Sequence, residues 1–362
     1  MPRKALVMTA FVATFAVLPP IGMQPSVAVS AAVAVPCKEP DCWPAAFAFT
    51  PNGREMFYLE RYTGEIRRVR LSDGTDRRWG SVNDVAGRGE QGALGIALHP
   101  GWHDAARNRW VYVFYTHQSS QENRIVRIKK ASGSLRRQTL LTIAPTPNTV
   151  NHNGGVIHFG PDGMLYAVTG DRFDESRSQN LADPAGKMLR TNPDGTRPAD
   201  NPIPGSLAYT FGHRNSFGFT FDPQTGRGWE TENGPTCDDE INSLDPGGNY
   251  GWGAESACPD TNDSGPEPRH PPAHTYNPVV VPTGAAFCNG CGLGADVEGN
   301  LLVGTFGGGT TIRLLTLNAS RDGVTSERVL YDHPTGVVAV EARPPDGAIY
   351  FSDRTGIHRL TP

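Results

Sequence analysis

Four short polar turns carry most of the side chains in this sequence that could do chemistry. The first reads Gly89-Glu90-Gln91-Gly92-Ala93-Leu94-Gly95. The second reads Asn151-His152-Asn153-Gly154-Gly155, with Gly170-Asp171 placing a carboxylate nineteen residues beyond the histidine. The third is Gly212-His213-Arg214-Asn215, and the fourth runs from Asn233-Gly234-Pro235 through Asp238-Asp239-Glu240 to Asn242, followed by Asn249-Tyr250-Gly251-Trp252. An imidazole exchanges a proton near neutral pH, which makes His152 a candidate general base. Three adjacent acids repel one another, and a hard cation held by oxygen ligands relieves that repulsion. Each group also has a plain structural reading. His152 beside glycines can cap a turn, Asp171 is a good turn residue, Arg214 can sit in an ion pair, and the acidic run can be a solvated loop. His99, His103, His158 and His213 read as turn, strand or packing residues, and Trp229 and Trp252 as core aromatics.

The elements that must position these turns recur along the chain. Pro51-Asn52-Gly53 precedes Met56-Phe57-Tyr58-Leu59, Pro161-Asp162-Gly163 precedes Leu165-Tyr166-Ala167-Val168, and Pro345-Asp346-Gly347 precedes Ile349-Tyr350-Phe351. Weaker copies begin near His99-Pro100, Asp222-Pro223 and Glu298-Gly299. Each unit predicts short alternating strands joined by Gly, Asp and Asn turns, a half-buried antiparallel sheet. Such a sheet cannot cover both of its faces alone, so six units must stack about an axis, which predicts an all-β six-bladed propeller with its function at one end of the channel. One short helix is expected around 181–189, and the Pro/Gly-rich stretch 259–282 reads as a long surface loop able to cover the channel mouth.

Composition bounds the possible functions. The 362 residues carry a net charge of -4, with 38% hydrophobic and 19% charged residues, which excludes a disordered chain and offers no basic excess for nucleic acid. Gly 42 and Pro 31 have no three-residue period and punctuate many turns. Arg3 and Lys4, the uncharged stretch 5–18 and the small residues at Ala28-Val29-Ser30 and Ala32-Val33-Ala34 predict an export signal over 1–35, a secreted or cell-envelope destination, and no membrane span in the mature chain. Cys37, Cys42, Cys237, Cys258, Cys288 and Cys291 suit an oxidising compartment, and the close pairs suggest Cys37–Cys42 and Cys288–Cys291, leaving Cys237–Cys258.

At the four turns the chain resembles the soluble glucose/sorbosone dehydrogenases, aldose dehydrogenases that use pyrroloquinoline quinone (PQQ). The matching stretches are 89–100, 152–171, 179–190, 200–202, 209–218 and 232–252. The family fold is a six-bladed propeller. The resemblance implies that His152 is the base that takes the proton of the sugar's anomeric hydroxyl, that Asp171 orients it, and that Arg214 stabilises charge on the quinone, with Asn215 beside it. Glu90 stands at a cofactor-lining position where family members commonly have glutamine. Gly234 and Pro235 fall where backbone carbonyls bind a calcium ion at the cofactor, and Asp239, Glu240 and Tyr250 fall near a second, structural calcium. Characterised members clamp the quinone's carboxylates with a lysine and arginines from the last two blades. This chain has no lysine after Lys187, and the corresponding stretches read Thr305-Phe306-Gly307-Gly308-Gly309 and Gly336-Val337-Val338-Ala339-Val340. Arg313 and Arg343 are the candidate replacements.

The resulting expectation is an exported quinoprotein that oxidises the anomeric carbon of aldoses and passes electrons to an unidentified acceptor. The alternative is a calcium-stiffened propeller without PQQ that binds carbohydrate or protein. A third is a calcium-dependent hydrolase such as a lactonase, with Glu90, Asn153, Asp171 and Asn215 around the metal.

Overall fold

The computed structural model describes residues 28–37, 42–147 and 149–362. It contains six four-stranded antiparallel sheets arranged as a propeller. Blade one comprises Pro44–Phe49, Glu55–Glu60, Glu65–Arg70 and Thr75–Ser81; blade two, Ala93–Leu98, Val111–Thr116, Asn123–Ala131 and Ser134–Ile143. Blade three comprises Ile157–Phe159, Leu165–Thr169, Lys187–Thr191 and Ala208–Phe211; blade four, Ser216–Phe221, Gly228–Glu232, Asp239–Leu244 and His274–Tyr276. Blade five comprises Pro282–Phe287, Leu301–Thr305, Thr311–Leu317 and Val324–Asp332. Blade six takes Val340–Ala342, Ile349–Ser352 and Gly356–Thr361 from the C-terminus and its outer strand, Ser30–Pro36, from the N-terminus.

The second strand of each blade is buried along almost its whole length because neighbouring blades cover both of its faces. Val111–Thr116 is buried throughout, whereas the outer strand Ser134–Ile143 is exposed over most of its length and carries Arg136 and Arg137. The core is therefore a set of interblade layers. Phe57 and Leu59 meet Ile96 and Val111 between blades one and two, and Trp229 and Ile241 meet Leu301 and Val303 between blades four and five. Burying each such side chain contributes about 1.5–3 kcal/mol. The Pro-(Asp/Asn)-Gly signals mark the hairpin after the innermost strand, so each blade begins one strand earlier than its sequence repeat. At the second of these turns Asp162 Oδ1 accepts the backbone N–H of Met164.

Two expectations need correction. The 181–189 segment is not helical: one helical turn covers Ser176–Gln179, and Lys187–Thr191 is the third strand of blade three. Pro184 and Gly186 interrupt any helix between them. The 259–282 segment is not a loop throughout: it supplies His274–Tyr276 to blade four and the start of Pro282–Phe287 to blade five, its Asn262 bonds to Glu240, and its Val281 lines the channel-end cavity. The export signal expected over 1–35 falls largely outside the described residues. Residues 1–27 lie outside the described residues, but 30–35 belong to the strand that pairs with Gly356–Thr361. Among the described residues no helix is long and apolar enough to cross a membrane. The three disulfides are Cys37–Cys42, Cys237–Cys258 and Cys288–Cys291, as the spacing suggested.

A chain beginning at Val35 lacks the partners that Ser30, Ala31, Ala32 and Val33 provide to the last strand. It is expected to melt several degrees below one beginning at Ala31, measured by scanning calorimetry.

Candidate functional site

One end of the channel opens into a cavity of about 440 Å³, within the range of small-molecule sites. His152, Glu90, Arg214, Asn215, Gly234 and Pro235 all line it, so six residues drawn from four separated sequence turns meet there. Asp171 lies beneath, fully buried.

Two glycines allow the histidine and carboxylate turns to touch. A Cβ on Gly170 would fall 2.3 Å from the backbone oxygen of His152, and one on Gly154 would fall 2.7 Å from that of Val168. Gly154 also has φ +62, a conformation that costs glycine little. His152, Arg172 and Phe173 adopt left-handed backbone with φ 53, 63 and 58. Such conformations in non-glycine residues cost on the order of 1–3 kcal/mol each and gather where surrounding contacts enforce them. Those contacts are present: the His152 N–H donates to Glu90 Oε2 at 2.7 Å, and its carbonyl accepts the Arg172 N–H at 3.2 Å.

His152 Nδ1 lies 2.6 Å from Asp171 Oδ1. That same oxygen accepts the Phe173 N–H at 2.8 Å, and Oδ2 accepts the indole N–H of Trp252 at 2.8 Å. An ionised carboxylate only accepts, so Nδ1 carries the proton and the Nε2 lone pair is left for the cavity. Phe173 stacks on the imidazole with centroids 3.8 Å apart. Trp252 is thus more than a core aromatic, and Phe173 was invisible in the sequence because its role depends on a left-handed turn. The family stretches did include Trp252, which was the available signal.

Arg214 donates from Nη1 to the carbonyls of Asn233 and Gly234, both at 2.8 Å, while its buried Nε has no hydrogen-bond partner among the described residues. Burial lowers its pKa from the ordinary arginine value. Asn215 donates to Glu90 Oε2 at 3.2 Å, and its buried Oδ1 is without a partner. Glu90 therefore braces two cavity residues. Arg172, which the sequence reading passed over, is fully buried, bonds Asn123, Asn153 and the Gln121 carbonyl, and has its pKa pulled down to about 10 by burial. Asn153 is committed to Arg172 and Asp171 to His152 and Trp252. Of the four groups read as a possible metal cage, Asn153 and Asp171 are thus engaged with protein donors.

The calcium expectations divide. Asp239 is a backbone staple, accepting the Gly234 N–H on Oδ1 and those of Val280 and Val281 on Oδ2, which leaves lone-pair capacity on Oδ1 alone. Tyr250 ties its hydroxyl to Ser243 O and the Asp245 N–H. Glu240 is buried among Asn242 and Asn262, and burial followed by the nearby Glu232 pushes its pKa up to about 8. That is the environment a cation relieves. The Gly234 carbonyl already accepts Arg214, yet a carbonyl has a second lone pair, so the edge formed with Pro235 still fits a hard cation. The candidate replacement clamps are elsewhere: Arg313 pairs with Glu327 on blade five and Arg343 with Asp346 at a surface turn.

Beneath Arg214 lies a second buried cluster. His213 Nδ1 sits 3.0 Å from Glu230 and 2.9 Å from Glu232, with all three side chains inaccessible or nearly so. Burial pulls the imidazole's pKa down, but the two glutamates outweigh it and hold it at about 10. His213 is therefore a buried cation, and Glu232 in turn accepts the Arg214 N–H. His213→Leu leaves two buried carboxylates uncompensated, which costs about 3–5 kcal/mol. The melting temperature is expected to fall by roughly 5–15 °C in calorimetry.

Comparison with known proteins places this geometry. The chain is 31% identical over 243 residues to quinoprotein glucose dehydrogenase B of Acinetobacter calcoaceticus, covering 58% of this chain and 50% of that protein. It is 30% identical over 220 residues to the aldose sugar dehydrogenase of Escherichia coli K12, covering 58% of each. These matches span about half of the relatives' own length. The PQQ-bound aldose sugar dehydrogenase of Streptomyces coelicolor superimposes with a TM-score of 0.74 at 28% identity, covering 93% of this chain and 99% of that one. The glucose/sorbosone dehydrogenase profile matches residues 42–359, and with the propeller and the polar cavity already described, the chain belongs to that family.

Proposed function

We propose that this protein is an exported, calcium-supported quinoprotein that oxidises the anomeric carbon of aldose sugars. The observation that carries the reading is the buried His152–Asp171 pair, whose remaining imidazole nitrogen faces a cavity shared with Arg214 and Asn215. The orphaned Arg214 Nε and Asn215 Oδ1 are polar groups that a bound polar cofactor would satisfy. Arg214, Asn215 and the Gly234–Pro235 edge would hold PQQ and its calcium. PQQ, when bound, supplies the two-electron acceptor for hydride leaving the sugar's C1. A calcium ion at that edge polarises the cofactor as a Lewis acid without redox chemistry of its own.

The chain's own contribution is proton handling and orientation. His152 Nε2 takes the anomeric hydroxyl proton, so loss of H⁺ and H⁻ from the aldose leaves its lactone. Asp171 holds Nδ1–H in place and stabilises the imidazolium that results. The Trp252 and Phe173 donors prevent the carboxylate from turning away. Electrons then leave to an external acceptor. Glu240 supports a second, structural calcium, and export directs the mature chain to the secreted or cell-envelope space.

Sugar-dependent dye reduction by the PQQ- and calcium-loaded protein tests the reading. His152→Ala is expected to lower kcat by about 10²–10⁴-fold while leaving PQQ affinity within a few-fold. Activity equal to the parent would exclude the assigned base. Asp171→Asn should lower kcat with little change in KM, because it disturbs the tautomer rather than the cavity. Saturating calcium is expected to raise the melting temperature of chelator-treated protein, with Glu240→Gln showing a smaller rise. Failure to bind PQQ would favour the propeller that serves as a carbohydrate or protein binding module.

A further inference from the structure

The cavity rim carries a charge that the site described so far does not use. Among its lining residues are Arg61, Arg214 and Arg354 against the single carboxylate of Glu90. Arg354 is exposed, and its guanidinium has no hydrogen bond or ion pair among the described residues. The adjacent carboxylate cannot neutralise it. Asp353 is turned inward, accepting from His333 at 2.8 Å and Thr335 at 2.6 Å, as well as from the Thr355 hydroxyl and the backbone N–H groups of Thr355 and Gly356, with His358 Nε2 3.1 Å away.

Aromatic faces hold the guanidinium in position instead. Arg354 Cζ lies 4.6 Å from the Trp43 ring centroid and 5.3 Å from that of Phe306, and these two rings are within 8° of parallel. Arg61 Cζ lies 4.4 Å from Trp43. Its Nε donates to Gln91 O and an Nη to Gly89 O, fixing it to the turn that bears Glu90. The Cys37–Cys42 disulfide ends one residue before Trp43, and the Cys37 N–H donates to Thr355 O at 2.8 Å, so the aromatic platform is tied to the Arg354 turn. Two guanidiniums gathered on one indole repel each other. Such an arrangement is stable in use when an anion bridges them.

The rest of the rim explains the need for cations at these positions. The two late-blade stretches contribute Phe306 and Val338 to the cavity, both apolar. We infer that Arg354, together with Arg61, forms the cationic clamp for a planar aromatic polycarboxylate, built from the blade-one and blade-six turns. On the function proposed above that ligand is PQQ, and the inference rests on that reading.

Titration calorimetry with PQQ and with its uncharged trimethyl ester, on the calcium-loaded mature chain, separates the two claims. Arg354→Ala, a change at an exposed side chain, is expected to weaken PQQ binding about ten- to hundredfold, the loss of one charge-assisted contact. Arg354→Lys should recover part of it, since an ammonium keeps the charge but not the planar fork. The ester should bind the parent and Arg354→Ala with similar, weaker affinity. The parent's affinity for PQQ should also fall more steeply with salt than the variant's. Equal PQQ affinity in parent and Arg354→Ala, or a parent that does not distinguish PQQ from its ester, overturns the clamp while leaving the proposed function standing. A parent that binds no PQQ overturns both.

Discussion

The carboxylate of Asp171 is the point on which the candidate site depends. It is fully buried, yet its two oxygens accept from an imidazole, an indole and a backbone amide. Its own N–H donates to Arg214 O at 2.8 Å, joining the histidine turn to the arginine turn. An unpaired carboxylate in this position would be costly, so each donor is held in one place by the penalty for leaving. The left-handed backbone of His152, Arg172 and Phe173 is the strain that this network maintains.

Charge is layered along the channel end. The cavity has three guanidiniums and one carboxylate, whereas the cluster below gathers Glu230, Glu232 and Glu240 about a single charged His213. Arg214 lies between the layers, with its side chain in the upper and its backbone N–H bonded to Glu232 in the lower. This arrangement suits an anionic ligand above and a cation at Glu240 below. It also accounts for Glu90 at a cofactor-facing position, because two N–H donors engage the same carboxylate oxygen and the surrounding arginines outnumber it.

The propeller was legible because its physical cause is repetitive. Pro-(Asp/Asn)-Gly turns and apolar strand pairs recur wherever a sheet needs covering on both sides, and each copy carries the message independently. The cysteine pairs were legible from proximity. The 181–189 helix failed because Pro184 and Gly186 break it, and only its end joins a strand, Lys187–Thr191, that is buried between blades. Asp239 shows the same limit: its place in an acidic run says nothing of the loop at Val280 and Val281, which folds back to bond its Oδ2.

Residue types and local spacing determined on their own the number of blades, the close cysteine pairs and the four polar turns, and the resemblance of those turns to the family implied that His152, Asp171, Arg214 and Asn215 belong together. Tertiary structure alone decided which cations face the cavity. Arg313 and Arg343 are nearer in sequence to the missing clamp, but both are paired at the surface. Arg61 and Arg354 are 293 positions apart in the chain and become neighbours only because the N-terminal strand closes blade six beside blade one. Ring closure is a long-range constraint, and no local pattern of residues encodes which turns it will bring face to face.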